Sequence, residues 1–354
     1  MNILVFGKDG QLGKALKAVF DAKQLAGQHR IAYFGRAECD LANSEALTQQ
    51  LNQMKPDLII NAAAYTSVDQ AENEVNLAYA INAKAPQCMA IYAKRQGATF
   101  LHYSTDFVFD GSKKTPYIES DVRNPLGVYG KSKAAGEEAI ENVFNSGQNS
   151  LAESNDTNFS GLKAQYAILR TSWVYGDGDN FIRTILRLAG ERETLSVIAD
   201  QHGVPTNATW LAEVSLALVF DEHDQLKPFS SGIYHAVPRG ETAWHELACY
   251  AVRIALDAGA ELMLRPARIE AIHAVNFPMI ASRPMNSSLD VKKLQHVLLG
   301  RNDPSIAQLF EQSWNLQVAE YVNQFIKLKF DQLATIEQHS ASITNYPKWR
   351  SALN

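Results

Sequence analysis

No stretch of this sequence approaches the roughly 18 apolar residues that a membrane-spanning helix needs. The opening MNILVFGKDG carries a short apolar run that ends at Gly7, too short for the hydrophobic part of a secretory signal. Cysteine is scarce and odd in number. Cys39, Cys88 and Cys249 lie far apart, which excludes a disulfide framework and a cysteine-based metal site and suits a reducing compartment. An excess of positive charge is missing too: the formal net charge is −5, which argues against a nucleic-acid surface but not against an anionic ligand held by a few donors. There is no internal repeat. A cytoplasmic protein with neither membrane nor nucleic-acid partners is expected.

What is present is an alternation. The 354 residues are 46% hydrophobic and 20% charged, ordinary for a soluble chain of one large domain or two modest ones. Strand-like runs at Ile3–Phe6, Ile31–Phe34, Asp57–Ala62, Thr99–Ser104 and Tyr166–Arg170 alternate with helical spacing at Leu12–Leu25, Ser44–Met54, Asn76–Gln96 and Tyr129–Phe144. That order predicts an α/β fold with a doubly wound parallel sheet, Rossmann-like. Beyond Ser172 helices are expected at Phe181–Arg192, Thr209–Val219 and Thr242–Asp257, and a strand at Gly232–Ala236. Residues 1–172 are read as the dinucleotide-binding domain, with elements near 209–237 returning to it. Residues 173–208 and 238–326 form a smaller substrate lobe, and 327–354 a tail. The polar run Asn145–Gly161 reads as a long exposed loop.

Gly7-Lys-Asp-Gly10-Gln-Leu-Gly13 sits between the first strand and the first helix. Glycines there permit a tight turn and close approach to a pyrophosphate, and the helix start presents free N–H groups. The spacing is GxxGxxG rather than GxGxxG. An NAD enzyme usually places an acidic residue at the end of the second strand; here that strand ends Tyr33-Phe34-Gly35-Arg36. Without a carboxylate, Arg36 is free to meet a 2′-phosphate, so NADPH is preferred and NADH remains possible; a solvated Arg36 is the alternative. Asp40 and Leu41 follow, where adenine would lie.

His102-Tyr-Ser-Thr-Asp-Phe-Val-Phe109 ends the fourth strand, and strand carboxyl ends form the ligand crevice of such a sheet. Thr105 is therefore expected there, beside Tyr129 and Lys133, which are four residues apart on one helical face. A phenol has an ordinary pKa near 10. A neighbouring ammonium is expected to lower it, making Tyr129 a proton donor to a carbonyl oxygen as hydride reaches its carbon. Taken singly, Thr105 reads equally as a strand-end cap and Tyr129 as a packing residue.

With these residues in view, the chain resembles the extended short-chain dehydrogenase/reductase superfamily and, within it, the dTDP-4-dehydrorhamnose reductases. The likeness rests on Gly7–Gly13, NAAAYTSVDQAE at 61–72, HYSTDFVFDG at 102–111, NPLGVYGKSKAAGE at 124–137, LRTSWVYG at 169–176, LSVIADQHGVPT at 195–206, IYHAVPRGETAWHE at 233–246 and ASRPMNSSLD at 281–290. It implies reduction of dTDP-4-dehydro-L-rhamnose to dTDP-L-rhamnose by NADPH or NADH, for polysaccharide synthesis. It implies Tyr129 as proton donor, Lys133 as its helper and Thr105 as the tuning hydroxyl, with Tyr129 and Lys133 also reaching the cofactor. Gly10, Gln11 and Leu12 would meet the pyrophosphate, Asp40 and Leu41 the adenosine, and Ala64, Tyr65 and Thr66 the cofactor further along. Thr105, Asp106 and Trp173 would contact the nucleotide sugar; from the residues alone Trp173 could equally be core.

Departures from the resemblance also carry expectations. Some members form Mg²⁺-joined dimers through glutamates. Here the corresponding places read Ala15 and Val291-Lys-Lys, leaving Glu191. No Mg²⁺ site is expected, and the protein is expected as a monomer or weak dimer. A sugar 4,6-dehydratase would need Glu after Thr105-Asp106, where Phe107 stands. A 4-epimerase would hold NAD, which Arg36 disfavours. A reductase of another nucleotide-linked 4-keto-6-deoxysugar, and a non-catalytic regulatory subunit, are the alternatives; the second would often lose Tyr129 or Lys133.

Overall fold

The structure is a computed structural model that describes residues 1–146, 163–277, 279–300 and 303–328. Its centre is a six-stranded sheet of β1 (Asn2–Phe6), β2 (Arg30–Phe34), β3 (Leu58–Asn61), β4 (Thr99–Thr105), β5 (Gln165–Thr171) and β6 (Gly232–His235). The order is β6-β5-β4-β3-β1-β2 and every pairing is parallel. The doubly wound sheet read from the sequence is borne out.

Helices cover both faces, so the inner strands are buried from end to end: every residue of β3, β4 and β5 is buried. This is why they show short apolar runs rather than a strict alternation of apolar and polar residues. Side chains still alternate. Ile3 and Val5 enter the core beneath helices Gln11–Ala22 and Ala208–Val219, while Leu4 and Phe6 enter the opposite core with Leu47, Met89 and Ile140. A separate apolar cluster joins Phe181–Glu191, Trp244–Asp257 and a helix over 314–328 through Ile182, Leu186, Leu247, Ala251, Val318 and Val322.

One helix differs from expectation. In place of an unbroken run over Asn76–Gln96 there is Val75–Tyr79, a π turn at Ala80–Lys84, and Ala85–Gln96. Pro86 opens the resumed helix and has no N–H to give. The wider turn points Asn82 inward. Its Oδ1 accepts from Tyr65 N at 2.9 Å, and its Nδ2 donates to Tyr65 O and to Ser132 Oγ, each at 3.0 Å. Such turns recur at functional sites, and this one braces the helix that carries Tyr129.

Most of the expected Asn145–Gly161 loop, and the expected tail beyond residue 328, lie outside the described residues. Among the described residues no helix is long and apolar enough to cross a membrane, and no group of three or more His, Cys, Asp or Glu side chains is placed to hold a metal ion.

Candidate active site

Because strand order reverses between β1 and β3, the connecting chains part at their carboxyl ends and leave a crevice there. It encloses about 990 Å³, at the upper end of the range for ligand sites.

Gly7 follows β1 at φ +89°, a left-handed conformation that favours glycine. A Cβ there would lie 2.7 Å from the Ala62 carbonyl carbon, and one at Gly13 would lie 2.0 Å from Gly7 O. The loop closes through Gly10 N donating to Gly7 O at 3.0 Å. Gly10 caps helix Gln11–Ala22 without a side chain of its own, so the first-turn N–H groups are left for an anion. Gly7, Gly10, Gln11 and Leu12 line the crevice, whereas Gly13 sits behind them against Gly7.

Arg36, Asp40 and Leu41 line the far rim. The Arg36 side chain is 81% exposed and lies 3.8 Å from Asp40. No carboxylate belongs to the end of β2 itself, but two approach it from elsewhere. Glu38 accepts from Gly35 N at 2.8 Å and pairs with Lys8, and Asp9 reaches over so that a Cβ on Gly35 would lie 2.1 Å from its Oδ2. These carboxylates come from the glycine loop and from the turn beyond the strand, not from the strand end. Ala64, Tyr65 and Thr66 line the middle of the crevice.

Thr105, Asp106, Tyr129, Lys133 and Trp173 come together at the other end. Thr105 is the last residue of β4. Its Oγ1 donates to Asp106 Oδ1 at 2.8 Å and accepts from Phe107 N at 3.2 Å. Tyr129 stands in the first turn of helix Val128–Asn145, edge-on to Phe107 with ring centres 5.6 Å apart. Gly130 lets this turn approach, since a Cβ there would lie 2.2 Å from Phe107 O. One turn on, Lys133 is buried, with Nζ donating to Tyr103 O at 2.6 Å and lying 3.3 Å from His102 Nε2.

Burial governs the titration here. It pushes Tyr129 up to about 12, with the Thr105 hydroxyl opposing and the Asp106 charge adding. It pushes Lys133 down to about 8, with Glu137 opposing. The expected lowering of the phenol by Lys133 is therefore not what this arrangement gives: the lysine head is engaged at the backbone of β4. Asp106 is pushed up to about 6 by burial, with the Ser287 and Thr105 hydroxyls opposing. Its Oδ2 meets no donor in hydrogen-bonding geometry.

Trp173 is crevice wall rather than core. It adopts φ +47° and stacks on Trp244 with ring centres 3.5 Å apart and planes 13° from parallel. Gly203 makes room for it, because a Cβ there would lie 2.6 Å from the indole.

Several supporting residues were not assigned a role from sequence. Glu72 Oε1 accepts from Val128 N at 2.8 Å and so caps the Tyr129 helix. Asp69 accepts from Ala281 N and pairs with Arg283 at 2.9 Å, tying the 281–283 loop beside the crevice. Both lie in SVDQAE, which was quoted above only for the resemblance. Glu72→Ala is expected to cost about 1 kcal/mol, read as a lower urea midpoint at unchanged slope, and to reduce turnover more than cofactor affinity.

The family described as the RmlD substrate binding domain matches residues 1–325. The chain belongs to this family. The match takes in the sheet and every crevice residue named above, and ends inside the helix over 314–328. Among RmlD relatives, dTDP-4-dehydrorhamnose reductase of Shigella flexneri is 40% identical over 299 residues, 83% of this chain and 91% of that one. The crystal structure of a dTDP-4-dehydrorhamnose reductase from Clostridium acetobutylicum has a TM-score of 0.74 at 30% identity and covers 92% of this chain and 99% of its own. The Bacillus anthracis enzyme of that name, in complex with NADP, has a TM-score of 0.71 at 30% identity, covering 92% and 98%.

Proposed function

We propose that this protein reduces the C4 keto group of dTDP-4-dehydro-L-rhamnose to give dTDP-L-rhamnose, with NADPH as the preferred donor and NADH as a second. The observation that carries the reading is the convergence of Thr105, Tyr129 and Lys133 with the glycine loop in one crevice. The similarity to dTDP-4-dehydrorhamnose reductases supports the substrate, and the NADP-bound relative supports the cofactor.

The residues present fit a dinucleotide. The cradle formed by Gly7, Gly10, Gln11 and Leu12 would hold the pyrophosphate, and a Cβ on Gly7 would collide with the backbone after β3. Arg36 would meet a 2′-phosphate; Asp40 and Leu41 would flank the adenosine; Ala64, Tyr65 and Thr66 would follow the chain inward. When bound, the dinucleotide supplies the hydride. Tyr129 gives its proton to the carbonyl oxygen. Thr105 has committed its own proton to Asp106 and one lone pair to Phe107 N, so its remaining lone pair faces the crevice and orients the phenol hydroxyl. Trp173 offers an apolar face suited to the methyl group of a deoxysugar.

The role given to Thr105 has a pH signature. Asp106 is a stronger acceptor as a carboxylate than as the neutral acid, and its value of about 6 means that it protonates as pH falls below about 6. kcat/KM is expected to fall on that side, and Asp106→Asn is expected to remove the limb along with part of the rate. The function itself is tested by NADPH oxidation with freshly made, epimerised dTDP-4-dehydro-6-deoxyhexulose. Rapid, sugar-dependent loss of absorbance is expected. Cofactor binding with no such loss would move the function to another nucleotide sugar or to a binding subunit.

A further inference from the structure

Behind Lys133 the hydrogen-bond donors do not balance. The His102 imidazole is buried between two nitrogens, with Asn61 Nδ2 at 3.1 Å from Nδ1 and Lys133 Nζ at 3.3 Å from Nε2. The amide is oriented from its other side. Ala63 N–H can only donate, and it meets Asn61 Oδ1 at 3.2 Å. Asn61 Nδ2 must then donate to Nδ1, which is left as a lone pair. A neutral imidazole so held carries its proton on Nε2. That N–H faces Nζ. An ammonium has three donors and no acceptor, whereas an amine has a lone pair that the N–H can meet. The bond from Nζ to Tyr103 O suits either form.

We propose that Asn61 and His102 are positioning residues that set the proton affinity of Lys133: Asn61 locks the imidazole tautomer, and the locked Nε2–H disfavours the ammonium. Other groups face Lys133 as well. On its own helix are Tyr129 and Glu137. Glu137 favours the ammonium but is tied to Arg170 of β5 at 2.7 Å and to Arg123 at 3.1 Å. On β4 and just beyond stand the Tyr103 carbonyl and Asp106. Burial acts in the same direction as the imidazole and holds Lys133 below its ordinary range. It also holds His102 well below its own, so the ring stays neutral.

For the catalytic cycle the inference rests on the reductive reading given above. Once Tyr129 has passed its proton to the sugar oxygen, Lys133 can return one to the phenolate. The ammonium N–H bond breaks, the phenol O–H forms, and the amine left behind accepts the waiting Nε2–H until solvent reprotonates it. The lysine is then a proton carrier and not only a fixed charge.

The test is titration of lysines labelled with ¹³C at Cε, with the Lys133 signal assigned by its loss in Lys133→Arg. Asn61→Asp puts a carboxylate opposite Nδ1, reverses the tautomer and gives Nζ a lone pair. The Lys133 midpoint is expected to rise by roughly 1–2 pH units. In a His102→Phe background the same substitution reports charge alone and should give a much smaller shift. Equal shifts in the two backgrounds overturn the proposal. Should Asn61→Asp not fold, the ¹⁵N spectrum of the His102 ring in the unaltered protein decides: Nε2–H is expected above the Lys133 titration, and Nδ1–H there overturns the lock. Neither readout needs turnover, so a failed sugar assay leaves this result intact.

Discussion

Replacing Tyr129 by phenylalanine is expected to lower kcat by roughly 10²–10⁴-fold and to leave the dissociation constant for NADPH unchanged. The substitution removes one oxygen and keeps the ring that meets Phe107 edge-on, so helix and crevice keep their shape. Only the proton delivered to the developing alkoxide is lost. Because burial holds the phenol near 12, the hydroxyl is fully protonated at neutral pH and ready to donate; what is difficult is bearing the phenolate afterwards. This is where Lys133 acts, by returning a proton to it. Stopped-flow NADPH oxidation beside a fluorescence titration separates the two quantities. Activity equal to the parent would remove Tyr129 from the mechanism.

The second large effect is structural. Glu137→Ala is expected to destabilise the fold by about 3–5 kcal/mol. The Arg170 side chain is 1% exposed and donates to Glu137 through Nε at 2.9 Å and Nη2 at 2.7 Å. Removing the carboxylate leaves that guanidinium buried with only weak alternatives, Glu119 O at 3.5 Å and His235 at 3.4 Å. Urea unfolding measures the loss. There is also a pH consequence. Burial alone would raise the Glu137 carboxyl, but Arg170, with Ser104 and Arg123, holds it below the usual carboxylate range. A depressed folded-state value means stabilisation present above the unfolded value and lost as pH falls through the folded one. Part of the acid sensitivity below about pH 4 should therefore vanish in the variant.

What was legible in the sequence is what local pattern records. Helix Ser44–Met54 agrees at both ends, because Asn43 caps it through bonds to Glu45 N and Ala46 N. The strands are legible because burial on both faces leaves a short apolar run in each, such as Ile3–Phe6 in β1 and Leu58–Ile60 in β3. The illegible parts depend on distant partners. The π turn at Ala80–Lys84 reads as ordinary helix until Asn82 is seen bonding Ser132 on another helix. Asp9 and Glu38 were missed because the carboxylates at the adenosine end come from segments other than β2. The pairing of Tyr129 with Lys133 could be read from their spacing, but the buried His102 and Asn61 behind the lysine belong to β4 and β3.

The most direct test of the central claim is product analysis after reduction with NADPH carrying deuterium at the transferable C4 position. The account predicts dTDP-L-rhamnose with one deuterium at sugar C4, a yield that depends on Tyr129, and no label elsewhere. A product labelled at another carbon, or a sugar returned unlabelled while NADPH is consumed, would contradict it.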